Sequence, residues 1–473
     1  MTDSYQAALE FLYGRIDYEQ ATAMPYGSRE LKLDRMRELL RRLDDPQNRL
    51  PIVHVAGTKG KGSTAAMIAA VLTAAGYSTG LYTSPHLDRL EERFRVDGRL
   101  CGEEELAELT DRLRPVVAEM DREAHAVGES GPTYFELTTA LGLLHFVARR
   151  VDAAVLEVGM GGRLDSTNVC QPRVTVITSI SFDHTKQLGN TLQAIAREKA
   201  GIVKPDIPLV SGVTIEEPRR EIERICRQRS APLIQLGRDF DFSYHAPAEV
   251  ETTVACPSID FVSHTQGREQ FQRAVQVGLL GEHQGANAAV ALAVVDQLRS
   301  QGWSISEAAA RRGLAEVAWP ARIEVVARRP TVILDAAHNV ASIAALVKTL
   351  DESFSCRDRL LVFATTQEKQ VAQMLRLLLP RFNRVIFTRY QNNPRGVPPE
   401  ELAALALKTT GTAADVRVHP AAAWQRVHEL AAETDLVCVT GSFFIAAEMR
   451  GQIAARPLGS LQIASAVRAQ TIG

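Results

Sequence analysis

The chain has 473 residues, 45% hydrophobic and 23% charged, with a formal net charge of −2. That balance fits a soluble globular protein of two or three domains with well-buried cores, and it argues against a polyanion-binding surface, so a nucleic-acid partner is not expected. Six scattered cysteines with no C-x-x-C pair exclude a zinc ribbon and fit free thiols in a reducing compartment.

The start, Met1 to Gln6, lacks the basic and apolar segments of a signal peptide. No apolar run approaches the ~20 residues that span a bilayer, so a cytoplasmic protein without a membrane partner is expected. Two helices come first, Tyr5 to Tyr13 and Glu30 to Leu43, the second from the spacing of Met36, Leu39, Leu40 and Leu43.

From Ile52 to Thr64 a β-branched run feeds the loop Gly57-Thr58-Lys59-Gly60-Lys61-Gly62-Ser63, which opens into the alanine-rich run Ala65 to Ala75. The pattern is a strand, a phosphate loop and a helix. Glycines let backbone N–H groups close on an anion, Lys61 is placed to reach the terminal phosphates, and Ser63 to offer its hydroxyl to Mg²⁺. The spacing departs from G-x-x-x-x-G-K-[ST] and narrows the reading to a subclass with a more compact loop.

A strand follows at Ser78 to Tyr82, then the loop Thr83-Ser84-Pro85-His86-Leu87 and a charged run, Asp88 to Arg99. A long helix is expected from Glu103, interrupted near Pro115, and another from Thr133-Tyr134-Phe135-Glu136 to Arg150. Strands at Ala153 to Val158 and Val174 to Ile180 and a helix at Asn190 to Ala200 continue an alternation that means a mainly parallel sheet covered by helices. Short β-rich pieces fill Asp239 to Leu280, where a small antiparallel sheet is expected, before helices at Gly285 to Arg299 and Ser306 to Leu314. After Trp319-Pro320-Ala321-Arg322 a second βα series begins, with strands near Thr331 to Leu334, Leu360 to Ala364, Arg384 to Phe387 and Leu436 to Thr440.

Polar clusters stand at several strand ends, where open parallel sheets place ligands. Glu157 is followed by Gly159, Gly161, Gly162, Arg163, Leu164 and Asp165. A carboxylate before glycines suits a hard cation beside a nucleotide, or equally a solvated turn. His184 in Ser181-Phe182-Asp183-His184-Thr185 is a ligand or a structural histidine. Lys199 in Glu198-Lys199-Ala200-Gly201, read alone, is a lysine favoured by a helix dipole.

Together with His283-Gln284-Gly285-Ala286-Asn287-Ala288-Ala289, Asp335-Ala336-Ala337-His338-Asn339 and Thr440-Gly441-Ser442, these motifs resemble, in order, the folylpolyglutamate synthase/dihydrofolate synthase family, a branch of the Mur ligases. The resemblance implies an α/β protein: a P-loop N-terminal domain with a mainly parallel sheet (residues 1–317), a smaller Rossmann-like C-terminal domain (318–473), and an active site in the cleft between them. It implies that Ser63 and Glu157 hold one Mg²⁺, that Glu157, His184 and a carbamylated Lys199 hold a second, and that Ser84 assists through its hydroxyl. It further implies that the loop residues Gly57 to Ser63, Asn287, Arg322 and Asp335 bind ATP and that His338 faces the transferring phosphate. Thr133, Phe135, Asp165 and Ser166 fall at substrate-contacting positions, although an aromatic such as Phe135 on an apolar helix face also reads as core.

The chain departs from the family's common pattern at Ala321 and Ala336, which replace glycine. It departs again at Glu368-Lys369-Gln370, which replaces D-K-D, and at Ser166, which replaces alanine. The implied activity is ATP-dependent addition of L-glutamate to a folate or to dihydropteroate through an acyl phosphate, by a monomer. Rival readings are a cell-wall Mur ligase with a UDP-linked substrate, disfavoured by the short stretch before the loop, and a nucleotide-binding regulatory protein, disfavoured by the set Glu157, His184 and Lys199.

Overall fold

The computed structural model describes residues 3–17, 33–252, 255–265, 268–367, 369–458 and 460–461. Glu30, the expected start of the second helix, and Glu368 lie outside them; that helix is described over Leu33–Arg41, burying Met36, Leu39 and Leu40. The chain divides into two compact units, one of residues 1–242, 260–275 and 286–316, the other of 243–259, 276–285 and 317–473.

The fully buried run Ile52–Ala56 forms β1, at the centre of the first unit's sheet. The other strands there are β2 (Thr79–Tyr82), β3 (Phe94–Val96), β4 (Arg99–Leu100), β5 (Ala153–Glu157), β6 (Val174–Ile177), β7 (Leu209–Ser211) and β8 (Leu233–Gln235), in the order β4-β3-β2-β5-β1-β6-β7-β8. From β2 to β8 neighbours are parallel. β1 sits where the strand order reverses, so its C-terminal end opens at the switch point where open α/β sheets bind ligands.

Helices cover both faces. On one, Leu106, Leu113, Val117, Leu137, Leu141 and Leu144 pack with Ile52, Ala154 and Leu156; on the other, Ile195, Ala196 and Ile222 pack with Ile177 and Leu209. A three-stranded sheet of β9 (Phe240–His245), β10 (Ser258–Thr265) and β11 (Arg268–Gln276) runs in the order β11-β10-β9.

One stretch left unassigned by the sequence takes regular structure, and one local expectation is corrected. The charged run Asp88 to Arg99 contains a 3₁₀ turn, Leu90–Arg93, and then the antiparallel hairpin β3–β4 on the sheet edge. Asp97 and Gly98 turn it with φ of 53° and 78°, the pair of positive values that a two-residue type I′ hairpin loop requires. The helix from Glu103 is not interrupted: it runs unbroken to Ala126 through Pro115. Pro115 is exposed, so the carbonyl it leaves without a donor can turn to water, while buried Leu113 and Val117 anchor the helix on either side.

The second unit's sheet contains β12 (Glu324–Arg328), β13 (Thr331–Leu334), β14 (Arg359–Phe363), β15 (Arg384–Phe387), β16 (Asp415–Val416), β17 (Leu436–Thr440) and β18 (Ser460–Leu461), ordered β16-β15-β14-β17-β13-β12-β18. The five strands from β16 to β13 are parallel; β12 pairs antiparallel to β13 and β18. No helix among the described residues is long and apolar enough to cross a membrane.

Candidate active site

Past β1 the chain turns through Gly57 to Gly60 and enters the helix Lys61–Ala74, with Gly60 as its N-cap at φ 82°. A Cβ on Gly60 would stand 2.3 Å from Asn287 Oδ1, so only glycine lets the loop approach that amide. Ser63 and Thr64 are buried in the first helical turn.

The loop is stitched to the segment after β6. Thr58 N–H donates to Ser179 O at 2.8 Å, Lys59 N–H to Ser179 Oγ at 3.0 Å, and Thr178 Oγ1 donates to Lys59 O at 2.6 Å. Lys59 Nζ lies 2.6 Å from Asp183 Oδ2. His184 follows, at φ 48°, its side chain half-exposed and Nε2 4.0 Å from Asp183 Oδ1.

Glu157, the last residue of β5, is buried beside β1, in register with Val55, and accepts the Ser84 N–H at 3.3 Å. Lys199 ends the helix Leu192–Lys199, is buried, and donates from Nζ to Gly57 O at 2.9 Å. Burial, with Lys61 adding its positive charge, lowers the Lys199 amine to about 7, so an appreciable fraction is neutral at physiological pH. The C-terminal edge of β5-β1-β6 therefore gathers a phosphate loop, a buried carboxylate and a lysine whose amine is partly neutral.

The glycines after Glu157 serve close packing. A Cβ on Gly162 would stand 2.8 Å from Lys199 O, and one on Gly201 would stand 2.5 Å from Arg163 Cα. Arg163 N–H donates to Glu198 O at 2.8 Å, so the Glu157 loop and the Lys199 helix end meet backbone to backbone.

Of the positions that the resemblance assigns to the substrate, Phe135 is partly buried beside Gly159, where an added Cβ would stand 2.5 Å from its ring. Thr133 is the N-cap of the helix Tyr134–Ala148, its Oγ1 2.8 Å from Glu136 Oε2, and Glu136 is paired with Arg35. Asp165 accepts the N–H groups of Met160 and Thr167, both at 3.0 Å, and the Thr167 hydroxyl at 2.5 Å; Ser166 opens the 3₁₀ turn that follows. In this structure Thr133 caps its helix and Asp165 organises the loop that follows Glu157.

Thr167 Oγ1 also accepts from His54 Nε2 at 2.8 Å, which ties β1 to the same loop. Burial lowers the His54 imidazole to about 3. Because the unfolded chain binds this proton and the folded chain does not, stability is full above the unfolded value near 6.5 and is lost as pH falls from there towards 3, by about 1.4 kcal/mol per pH unit. Urea unfolding between pH 7 and 5 should show a shallower acid decline in His54→Gln than in the wild type; equal slopes would remove His54 as the cause.

In the second unit, Asp335 follows β13, buried, and accepts the N–H groups of Ala337 at 2.8 Å and Ile323 at 3.0 Å. Burial raises its carboxyl pKa, and Arg322 opposes the shift. His338 Nδ1 donates to Ala336 O at 3.0 Å. Asn339 then caps the helix Val340–Ser353. Ala321 stands at φ 54°, a left-handed backbone that costs a residue with a Cβ roughly 1 kcal/mol. Ala321→Gly is therefore expected to raise the melting temperature by about 1–3 °C. A fall would mean that packing of the buried methyl outweighs the strain.

Sequence reasoning assigned no role to Asp183, Thr178 or Ser179; the hydroxyl and carboxylate residues crowding the end of a predicted strand were the available signal. One trio of metal-ligating side chains converges among the described residues: Cys101, Glu105 and His145, with ligand atoms within 4.8 Å. Arg149 takes both Glu105 oxygens, at 3.0 and 2.6 Å, and His145 Nδ1 lies 2.8 Å from one of them, so the carboxylate is already spent on joining two helices.

Residues 55–295 match the Mur ligase middle domain and residues 321–443 the Mur ligase glutamate ligase domain. The dihydrofolate synthase/folylpolyglutamate synthase of Bacillus subtilis is 31% identical over 96% of this chain and 100% of its own length. Mycobacterium tuberculosis folylpolyglutamate synthase complexed with ADP superimposes with a TM-score of 0.85 at 30% identity, covering 96% of this chain and 99% of that one. E. coli FolC in complex with DHPP and ADP does so with 0.78 at 29% identity, covering 97% and 100%.

Proposed function

The chain belongs to the Mur ligase family, in its folylpolyglutamate/dihydrofolate synthase branch, and on that premise we propose how this ATP-dependent glutamate ligase works and on which acceptors. The acceptors are a reduced folate and dihydropteroate. The acceptor carboxylate attacks the γ-phosphoryl group of ATP and forms an acyl phosphate and ADP. The glutamate amine then attacks the activated carbonyl, loses a proton and expels phosphate.

The observation that carries this reading is the convergence of the phosphate loop, buried Glu157 and near-neutral Lys199 at one edge of β5-β1-β6. Lys61 and the loop amides hold the phosphates; such transfers depend mainly on positioning and charge stabilisation. Asn287, within reach of the loop at Gly60, contacts the nucleotide, as do Arg322 and Asp335 of the second unit, and His338 faces the transferring phosphate. Phe135 and Ser166, with Thr133 and Asp165 behind them, border the pterin end.

The donor set fits divalent cations. Ser63, Ser84 and Glu157 are oxygen donors, His184 adds a nitrogen, and a neutral Lys199 amine can add to CO₂ and shed a proton to become an anionic carbamate oxygen donor. Two Mg²⁺ ions held there would neutralise phosphate charge.

Incubation with ATP, L-glutamate and either dihydropteroate or a reduced folate monoglutamate is expected to release ADP and phosphate and lengthen the acceptor by one glutamate. Ligation only of a UDP-muramoyl peptide, or ATP turnover indifferent to folate and glutamate, would overturn the reading. Light scattering checks that the active species is the monomer.

A further inference from the structure

Lys59 lies in the phosphate loop and Asp183 in the loop after β6, far apart in sequence. Their 2.6 Å contact is charge-assisted, and with side chains only 27% and 13% exposed it is shielded from the screening that weakens surface pairs. The Lys59 peptide is fixed as well: its carbonyl accepts both the Thr178 and Ser179 hydroxyls, at 2.6 and 3.1 Å. The second Asp183 oxygen accepts the His184 N–H at 3.1 Å and lies 4.0 Å from His184 Nε2. That contact helps hold His184 in its left-handed conformation, which favours glycine. One carboxylate thus joins the phosphate loop to the turn that carries His184.

We infer that the Lys59–Asp183 ion pair is a positioning latch of the ligase site, holding the phosphate loop and the His184 turn in one register. Lys59 acts through Asp183; it is not a second lysine that grips the nucleotide phosphates. Its catalytic effect presumes the ligase reaction proposed above, while its mechanical effect does not.

The test is a double-mutant cycle on the full chain with Lys59→Met, Asp183→Asn and the pair, reading kcat, the KM for ATP and ADP affinity by calorimetry. Each single variant is expected to lose about 10- to 100-fold in kcat, the scale of a misplaced reacting group, with ATP KM and ADP affinity within about threefold. The double variant should be no worse than the poorer single one, and Lys59→Arg should restore most of the rate.

A Lys59→Met variant with intact kcat and a raised ATP KM would overturn the latch and make Lys59 a direct phosphate ligand. Multiplying losses in the double variant would overturn it too. Hydrogen exchange gives a readout independent of ligation: amides of residues 182–189 should exchange faster in Lys59→Met and at the wild-type rate in Lys59→Arg. Unchanged exchange in both sinks the latch. A wild type inert towards folate and glutamate sinks only the ligase reading.

Discussion

Lys199→Ala is expected to cut glutamate ligation about 1,000-fold, the scale on which removing a preorganised charge-stabilising group slows an enzyme, while ADP binding persists. The side chain is buried against Gly57 O with its amine lowered to about 7, an expensive arrangement for a lysine that serves only as a helix end. Removing a buried four-carbon chain also leaves a cavity, so loss of rate alone does not separate chemistry from packing. Lys199→Met keeps most of the volume without the amine. It should be as inactive as Lys199→Ala but melt closer to the wild type. Added acetate should restore part of the rate in the alanine variant, which has room for it, and none in the methionine variant. A methionine variant within tenfold of wild-type rate would reduce Lys199 to packing.

The strand, loop and helix from Ile52 to Thr64 were legible because each residue type there answers a local demand: β-branched residues for the strand, glycines for the turn, a lysine and hydroxyls for phosphates. The edge hairpin was legible too, in Asp97-Gly98, but the surrounding charges masked it because β4 has only two residues and one faces solvent. β7 and β8, three residues each, are too short for alternation to show, and they are strands because β6 offers β7 an edge and β7 in turn offers one to β8.

The site divides along the same line. Lys61, Ser63 and Glu157 announce themselves through strand ends and spacing. The contacts that position them do not, because Lys59–Asp183 and Lys199–Gly57 depend on which strands lie side by side, a property of topology that no local pattern carries. Gly162 and Gly201 were open to misreading for a related reason. Glycine permits close approach without naming the approaching atom, and here it is neighbouring backbone, not a ligand.

Glu157→Gln tests the carboxylate with its shape preserved. Glutamine has nearly the same volume, and its carbonyl oxygen can still accept the Ser84 N–H, so the end of β5 should keep its fold. What changes is one negative charge, buried on the strand next to β1, which leads into the phosphate loop and its lysines Lys59 and Lys61. If that charge only balanced the lysines, its loss would favour the anionic nucleotide, and ADP would bind as well or better without added divalent cation. If it also holds Mg²⁺, the increase in ADP affinity on adding Mg²⁺ should shrink and ligation should fall about 1,000-fold, equivalent to about 4 kcal/mol of transition-state stabilisation. Calorimetry with ADP, with and without Mg²⁺, separates the two, because charge balance acts in both conditions and cation binding in only one. A variant that ligates within tenfold of the wild type and keeps its Mg²⁺ response would remove Glu157 from the cation site and leave it a partner of the Ser84 backbone.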